Sequence, residues 1–376
     1  MSNSKEALSE ISNSQATKLS DRIRERLKPM KPIAKRIFIL VVPSKLRGVR
    51  QKVRRLRKEA MKIPELILNY TYDSSRFFKE SNVWKKNDNQ LKHRAFIVKE
   101  YHRIEKRLAF KEPRIAFAPQ IIQSLLSSLR EYQEKYGLDE IAQNALNALF
   151  AYYQFNLAHD HKDEQLYQNL IALKSTIADP ENATSQGGVL KVSRQNIYEK
   201  AKLDLQDFFA SRYSIRQFAP EEVDMGLVEK AVAMAQKTPS VCNRQSSKVY
   251  VFSRPEDKQK VLSYQTGNKG FGDQANKVLI VASDLAHFFS IGERNQCWID
   301  GGMFAMSLVY ALHSLGLGTC CLNWSVEYEL DRALKKAVGI KNSESIIMMI
   351  AVGHLPDELK VAQSPRKNIR DVMVVQ

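Results

Sequence analysis

Arg212, Ser214 and Arg216 fall within the eight residues from Ser211 to Phe218. Two guanidiniums four apart with a hydroxyl between them suit an anion. If the segment enters a helix, the arginines share one side and the serine can donate to the same oxygen. A solvated basic turn has the same composition, so the segment gains meaning only from the blocks downstream of it. Thr238 to Gln245 holds Pro239, Ser240, Asn243, Arg244 and Gln245. Leu315 to Trp324 holds Gly316, Gly318 and Thr319, then Cys320, Cys321, Leu322 and Asn323. Gly353 and His354 come next, and Ser364, Pro365, Arg366 and Lys367 lie near the C-terminus.

These blocks sit at the ends of elements that the apolar pattern predicts. Leu227, Ala231, Met234 and Ala235 mark one face of a helix ending near Thr238 and Pro239. Val249–Phe252, Val278–Ala282 and Ile346–Val352 read as strands, the last two buried. A strongly apolar helix over 299–315, through Phe304, Leu308 and Leu312, is closed by Gly316. The alternation of helices with short β-rich runs means a central sheet flanked by helices.

The four blocks, in this order and spacing, resemble the nitroreductase family of flavin enzymes, over roughly residues 205–376. That family opens with an Arg-x-Ser-x-Arg/Lys segment, continues with Pro-Ser-x-x-Asn-x-Gln and a long helix ending in Gly-Leu-Gly-Thr, and closes with Gly-His/Tyr and a basic pair. The resemblance implies an α+β fold with a mixed or antiparallel sheet, a homodimer, and FMN at its interface. Arg212 and Ser214 would hold the phosphate, and Arg216 would face the pyrimidine side of the ring, where reduction leaves negative charge. Pro239, Ser240, Asn243 and Gln245 match the block that the partner subunit presents. Many relatives have Pro-Trp after that glutamine; here Ser246 and Ser247 come next. Leu322 and Asn323 fall where the family sets a backbone N–H against flavin N5. Asp300 matches a polar position facing the cofactor, Asn268 a loop near the ring, and Arg366 and Lys367 the basic residues at the phosphate. The implied chemistry is hydride transfer from NADH or NADPH, through flavin N5, to a small nitro, quinone or enone acceptor, with no side chain acting as nucleophile.

The remainder of the chain divides by charge. The 376 residues carry a formal net charge of +17. Residues 1–60 hold 17 Lys and Arg against 5 Asp and Glu, whereas 201–376 hold 21 against 19. The basicity is therefore terminal. Residues 1–62 read as a partly disordered basic tail, unstructured over 1–20. Beyond Pro43, Leu46, Val49, Val53, Leu56 and Ala60 mark one face of an amphipathic helix suited to an anionic membrane or an acidic partner. Nucleic acid is disfavoured, because the tail lacks interleaved aromatics and any recognised binding module. Residues 63–190 read as mostly helical, with helices over Leu91–Leu108, Pro119–Tyr136 and Leu138–His159. A linker spans Asp179–Gly188, and the flavin domain occupies 191–376. The stretch Glu100–Arg114 resembles an N-terminal extension of nitroreductase-like proteins encoded among polysaccharide-biosynthesis genes.

Other chemistries find less support. Four cysteines without a Cys-x-x-Cys pair make neither a disulfide framework nor a zinc site. Cys320 reads as a small core residue in a turn. Gly316-x-Gly318 ends a helix rather than opening one, which excludes a dinucleotide fingerprint. His159 and His161 read as solvated, and His93 and His102 as surface residues. The polar start shows no secretory pattern, and the apolar run Ile37–Val42 falls far short of the roughly 20 residues of a membrane span. The expected location is cytoplasmic, with the basic tail suited to the inner membrane face. The alternative to an enzyme is a flavin-fold dimer without catalysis that binds membrane or partner through its tail.

Overall fold

The computed structural model describes residues 47–175, 187–195, 204–362, 364 and 366–376, with the backbone alone for 47–59. The expected disorder of 1–20, the first part of the basic tail and all but Gly187 and Gly188 of the expected linker lie outside these residues. Contacts divide the chain into two units, 1–67 and 68–376. In the first, the described residues are helical, within α1 (Arg47–Glu80), which passes through Pro64. Met61, Ile63, Leu66 and Ile67 are each more than half exposed. No described helix is long and apolar enough to cross a membrane.

The second unit builds a helical layer and a sheet domain. The layer comprises α2 (Gln90–Leu108), α3 (Pro119–Tyr136), α4 (Glu140–Leu157) and α5 (Glu164–Lys174). The first three lie within two residues of the spans that apolar spacing predicts. Asn89, Asp139 and Asp163 start α2, α4 and α5 by accepting the backbone N–H of Lys92, Ala142 and Leu166. Such caps satisfy donors that the helix itself leaves free. Ile97, Ile104, Leu125, Leu129, Tyr132, Leu149 and Leu170 have no exposed surface and form the layer's core. Gly188 N–H donates to Glu105 Oε1 at 3.1 Å, tying the described end of the linker to α2.

His93 departs from the expected surface position. It is fully buried, its Nε2 lies 2.8 Å from Ser128 Oγ, and its ring meets Tyr132 edge-on at 5.2 Å. Its charged neighbours Lys92 and Arg94 suggested exposure, but it lies one helical turn before Ile97 and shares that residue's inward face. His159 and His161 are exposed as expected, and His102 is half-buried beside Glu105.

The sheet has four antiparallel strands, β1 (Ser247–Phe252), β2 (Lys277–Asp284), β3 (Leu317–Asn323) and β4 (Glu344–His354), in the order β1-β2-β4-β3. It is the antiparallel form of the expected α+β fold. One face packs Leu279, Val281, Ile350 and Val352 against α7 (Met225–Ala235) and α9 (Gln296–Ser314). The other packs Val278, Ile280, Met349 and Ala351 with residues of α8 (Pro255–Leu262) and α10 (Tyr328–Val338). Three strands contain the runs predicted for them. β3 replaces the turn expected at Cys320: it is an edge strand that contains Gly318 and forms its ladder with β4. Cys320 is buried within it, and Cys321 is exposed.

One pair of glycines fixes the layer above the β3 edge. Gly318 and Gly353 are cross-strand partners. A Cβ at Gly353 would lie 2.7 Å from Phe218 Cδ1, and one at Gly318 would lie 3.0 Å from Ile215 Cγ2. The missing side chains are the space that Ile215 and Phe218 occupy.

Gly353→Ala should therefore destabilise the fold by about 1–3 kcal/mol through overpacking. Adding Phe218→Ala should give a loss smaller than the sum of the single losses, because the two changes share one space. Denaturant melts of the three variants measure the coupling, and strict additivity would refute it. Burial also holds the imidazoles of His93 and His287 below their usual protonation range. The unfolded chain then binds more protons below about pH 6.5, so stability should fall as pH drops from 7 to 5. His93→Gln should flatten that fall, and an unchanged slope would remove His93 from the account.

Candidate functional site

The arginine segment emerges from α6 (Leu205–Ala210) and runs along the outer edge of β3. Ile215 N–H donates to Thr319 O at 2.8 Å, and Ser214 forms a parallel bridge with Thr319. The segment is extended here, not helical as the spacing allowed. The consequence for chemistry is the same, because alternate residues of an extended chain share a face. Ile215 points into the core, while Arg212, Ser214 and Arg216 line one cavity of about 530 Å³.

Tyr310 of α9 and Ser364 and Arg366 of the C-terminal segment complete that cavity. Arg216 Nη1 reaches Ser214 O at 3.4 Å, and Arg366 Nη1 donates to Ser364 O at 2.5 Å. Among the described residues, none of the three guanidiniums meets a carboxylate. Three positive charges and a hydroxyl around an open volume could accept an anion, with phosphate the natural match for guanidinium geometry. Behind the segment, Ser211 Oγ lies 2.9 Å from His313 Nε2. Burial, and secondarily the charge of Arg212, keep His313 below its usual protonation range.

A second, smaller cavity of about 90 Å³ lies at the end of α7. Pro239, Ser240, Gln245 and Asp300 line it, with Thr238 and Phe304. The two cavities share no lining residue. Between Ser240 and Gln245 the backbone is unusual: Cys242, Asn243 and Gln245 have φ of 50°, 52° and 50°. This left-handed region costs a non-glycine residue about 1–2 kcal/mol each, so the loop needs restraint.

Hydrogen bonds from both ends of the loop supply that restraint. Gln245 N–H donates to Ser240 Oγ at 3.0 Å, and Val241 N–H donates to Asp300 Oδ2 at 3.2 Å. Gln296 Nε2 donates to the other Asp300 oxygen at 2.8 Å. Arg244 is 3% exposed. It donates to Glu293 through both terminal nitrogens, at 3.1 and 2.7 Å, and to His287 O at 2.6 Å. Its Nε closes back on Val241 O at 3.0 Å. Such a bidentate pair, with its guanidinium buried, fixes orientation as well as charge.

The remaining expected site residues sit elsewhere. Asn243 shares the loop but does not line either cavity. Leu322 is buried in the core, and Asn323 is exposed at the end of β3, its carbonyl accepting Gln265 Nε2 at 2.5 Å. Because β3 is an edge strand, part of its backbone near Asn323 faces away from β4. Lys367 is exposed and outside the cavity that Arg366 lines. Asn268 spends its side-chain amide on Leu262 O and Gln265 O, at 2.8 and 2.7 Å, and borders a separate surface cleft. Sequence reasoning missed Tyr310 and the anchoring role of Arg244. Tyr310 lies on the strip of α9 two turns after Met303, a position that apolar spacing alone does not single out. The Arg244–Glu293 pairing spans 49 residues and leaves no local signal.

A family model described as Nitroreductase family matches residues 209–264 and 255–354. A CLA biosynthesis enone reductase of Lactiplantibacillus plantarum is 31% identical over 103 residues, 27% of this chain and 48% of that protein, so the match spans about half the relative's length. Among solved structures, an FMN-dependent nitroreductase from Clostridium difficile superposes with a TM-score of 0.39 at 21% identity, covering 45% of this chain and 98% of that one. A nitroreductase-like protein of Streptococcus mutans gives 0.40 at 18%, covering 46% and 98%. The stretch that matches the nitroreductase family model, residues 209–354, carries both cavities apart from the extreme C-terminal contributions.

Proposed function

We propose that this chain is an FMN-dependent oxidoreductase that moves hydride from NADH or NADPH to a small organic acceptor. The observation that carries this reading is the set of three guanidiniums, Arg212, Arg216 and Arg366, which line one open cavity and meet no carboxylate among the described residues. FMN supplies a ring that accepts and releases hydride at N5, so no nucleophilic side chain is required. Arg212, Ser214 and Arg366 would bind its phosphate, with Lys367 adding charge from outside. Arg216 would stand at the pyrimidine edge, where a fixed positive charge favours the reduced state. Pro239, Ser240, Asn243 and Gln245, held from behind by Asp300, would contribute from the other subunit of a homodimer. Two cavities with no shared residue on one chain support that division. Leu322 and Asn323 would offer backbone at the strand edge. The enone reductase relative favours an enone among nitro, quinone and enone acceptors. The stretch Glu100–Arg114 supports a place near surface-glycan assembly.

A location at the inner membrane face is the second part of the reading. Residues 47–62 hold eight Lys and Arg against one Asp or Glu. They lead into Met61, Ile63, Leu66, Ile67, Leu68 and Tyr70, which are exposed on a helix. Basic charge beside water-facing apolar side chains suits an anionic lipid surface.

The purified protein should be yellow or turn yellow with FMN, and NADH or NADPH should bleach it anaerobically. Arg212→Ala and Arg216→Ala should each weaken FMN retention about tenfold or more, the scale of a lost charge-assisted contact. A preparation that stays colourless with excess FMN would overturn the enzyme reading, and full retention in both variants would move the site. Full-length protein should bind anionic vesicles at low salt, release at about 0.5 M salt, and ignore neutral vesicles. Equal binding by a chain lacking residues 1–62 would reduce the tail to a solvated extension.

A further inference from the structure

The helical layer touches the strained loop of the second cavity through a continuous set of contacts. α2 packs against the turns at Val241–Asn243 and Leu285–His287. Lys99 of α2 lies between two rings, its Nζ 4.9 Å from the Phe96 centroid and 4.5 Å from that of Phe289. The Phe96 and Phe289 rings are 6.2 Å apart. Arg244 also stands against Phe289, its guanidinium carbon 5.4 Å from that ring and 5.5 Å from Phe288. Phe289 N–H and Arg244 converge on Glu293, at 2.7 Å for the amide. The same segment is held from the end of α1: Asn82 N–H donates to Phe288 O at 2.8 Å, and Asn82 Nδ2 to Ala286 O at 2.7 Å. Phe77, Phe288 and Val241 meet in one small apolar cluster.

We propose that the helical layer positions the Ser240–Gln245 loop, with Phe96 and Lys99 of α2 as positioning residues that act through Phe289 and Arg244. The inference rests on the reading of that loop as one half of the cofactor site. Its physical basis is separate. The loop holds three non-glycine residues in left-handed conformation, and Arg244 is the side chain that closes it. Arg244 in turn has its aromatic wall set by α2. Lys99 from α2 and Arg244 from the loop both lie against the Phe289 ring, which makes it a shared contact between the two elements. Removing either member from α2 frees Phe289 to move, and with it the surface against which Arg244 is packed.

The test compares backbone amide exchange and FMN affinity in the full chain. Lys99→Met and Phe96→Ala should each raise exchange over residues 241–246 by about tenfold, as expected for loss of a half-buried cation–aromatic contact. Exchange in β2 should stay unchanged. Both variants should weaken FMN retention, whereas Lys99→Arg and Phe96→Tyr should restore both readouts. Arg212→Ala should weaken retention with normal exchange over 241–246. Unchanged exchange in Lys99→Met and Phe96→Ala would overturn the inference, as would equal effects of Lys99→Arg and Lys99→Met. Raised exchange in a chain that takes up no FMN would uphold the clamp and overturn the cofactor reading instead.

Discussion

The arginine segment depends on a steric vacancy. An extended chain laid beside an edge strand with a single bridge has little hydrogen bonding to hold it. What holds it is burial of Ile215 and Phe218 in the space left by two glycines that face each other across β3 and β4. Burying side chains of this size contributes about 1.5–3 kcal/mol each, more than the bridge can. With Ile215 seated inward, alternation turns its neighbours Ser214 and Arg216 outward, into the cavity that Arg212 also lines. The cavity, its charge and the approach of the C-terminal Arg366 all depend on that register.

The arginines near the two cavities divide between two physical tasks. Arg244 is buried and saturated, with a carboxylate, two backbone carbonyls and aromatic faces around it. Such a group organises structure and has nothing left to offer a ligand. Arg212, Arg216 and Arg366 are at least partly exposed and meet no carboxylate among the described residues. Self-repulsion among them costs stability, which an anion would return on binding. Sequence composition does not separate these tasks; partners at distances of 49 residues do.

Much of the sheet was legible because buried strands read as continuous apolar runs, as in Val278–Ala282 and Ile346–Val352. β3 was not, because an edge strand of mixed polarity with a glycine inside it reads like a turn. The helices α2 to α4 were legible from apolar spacing, although their caps Asn89 and Asp139 emerge only in the structure. His93 misled because its immediate neighbours are charged, while its burial is set by residues three and four positions on. At the site, the types and order of the residues pointed to an anion, but the geometry that gathers Arg212, Ser214 and Arg216 is extended rather than helical. The packing of α2 against the Val241–Asn243 turn is tertiary throughout, and no local pattern announces it.

At the left-handed positions of that turn, glycine would adopt φ near 50° at little cost, yet Cys242, Asn243 and Gln245 are used instead. Glycine also gives an unfolded or loosened segment many more conformations. A glycine-rich version would therefore be easier to bend into shape and harder to keep there. With side chains in place, the loop has few alternatives near its native course, so its precision comes from narrowness rather than depth. The local strain and the external anchors are two sides of one arrangement: the chain resists the shape, but it has few other shapes to take.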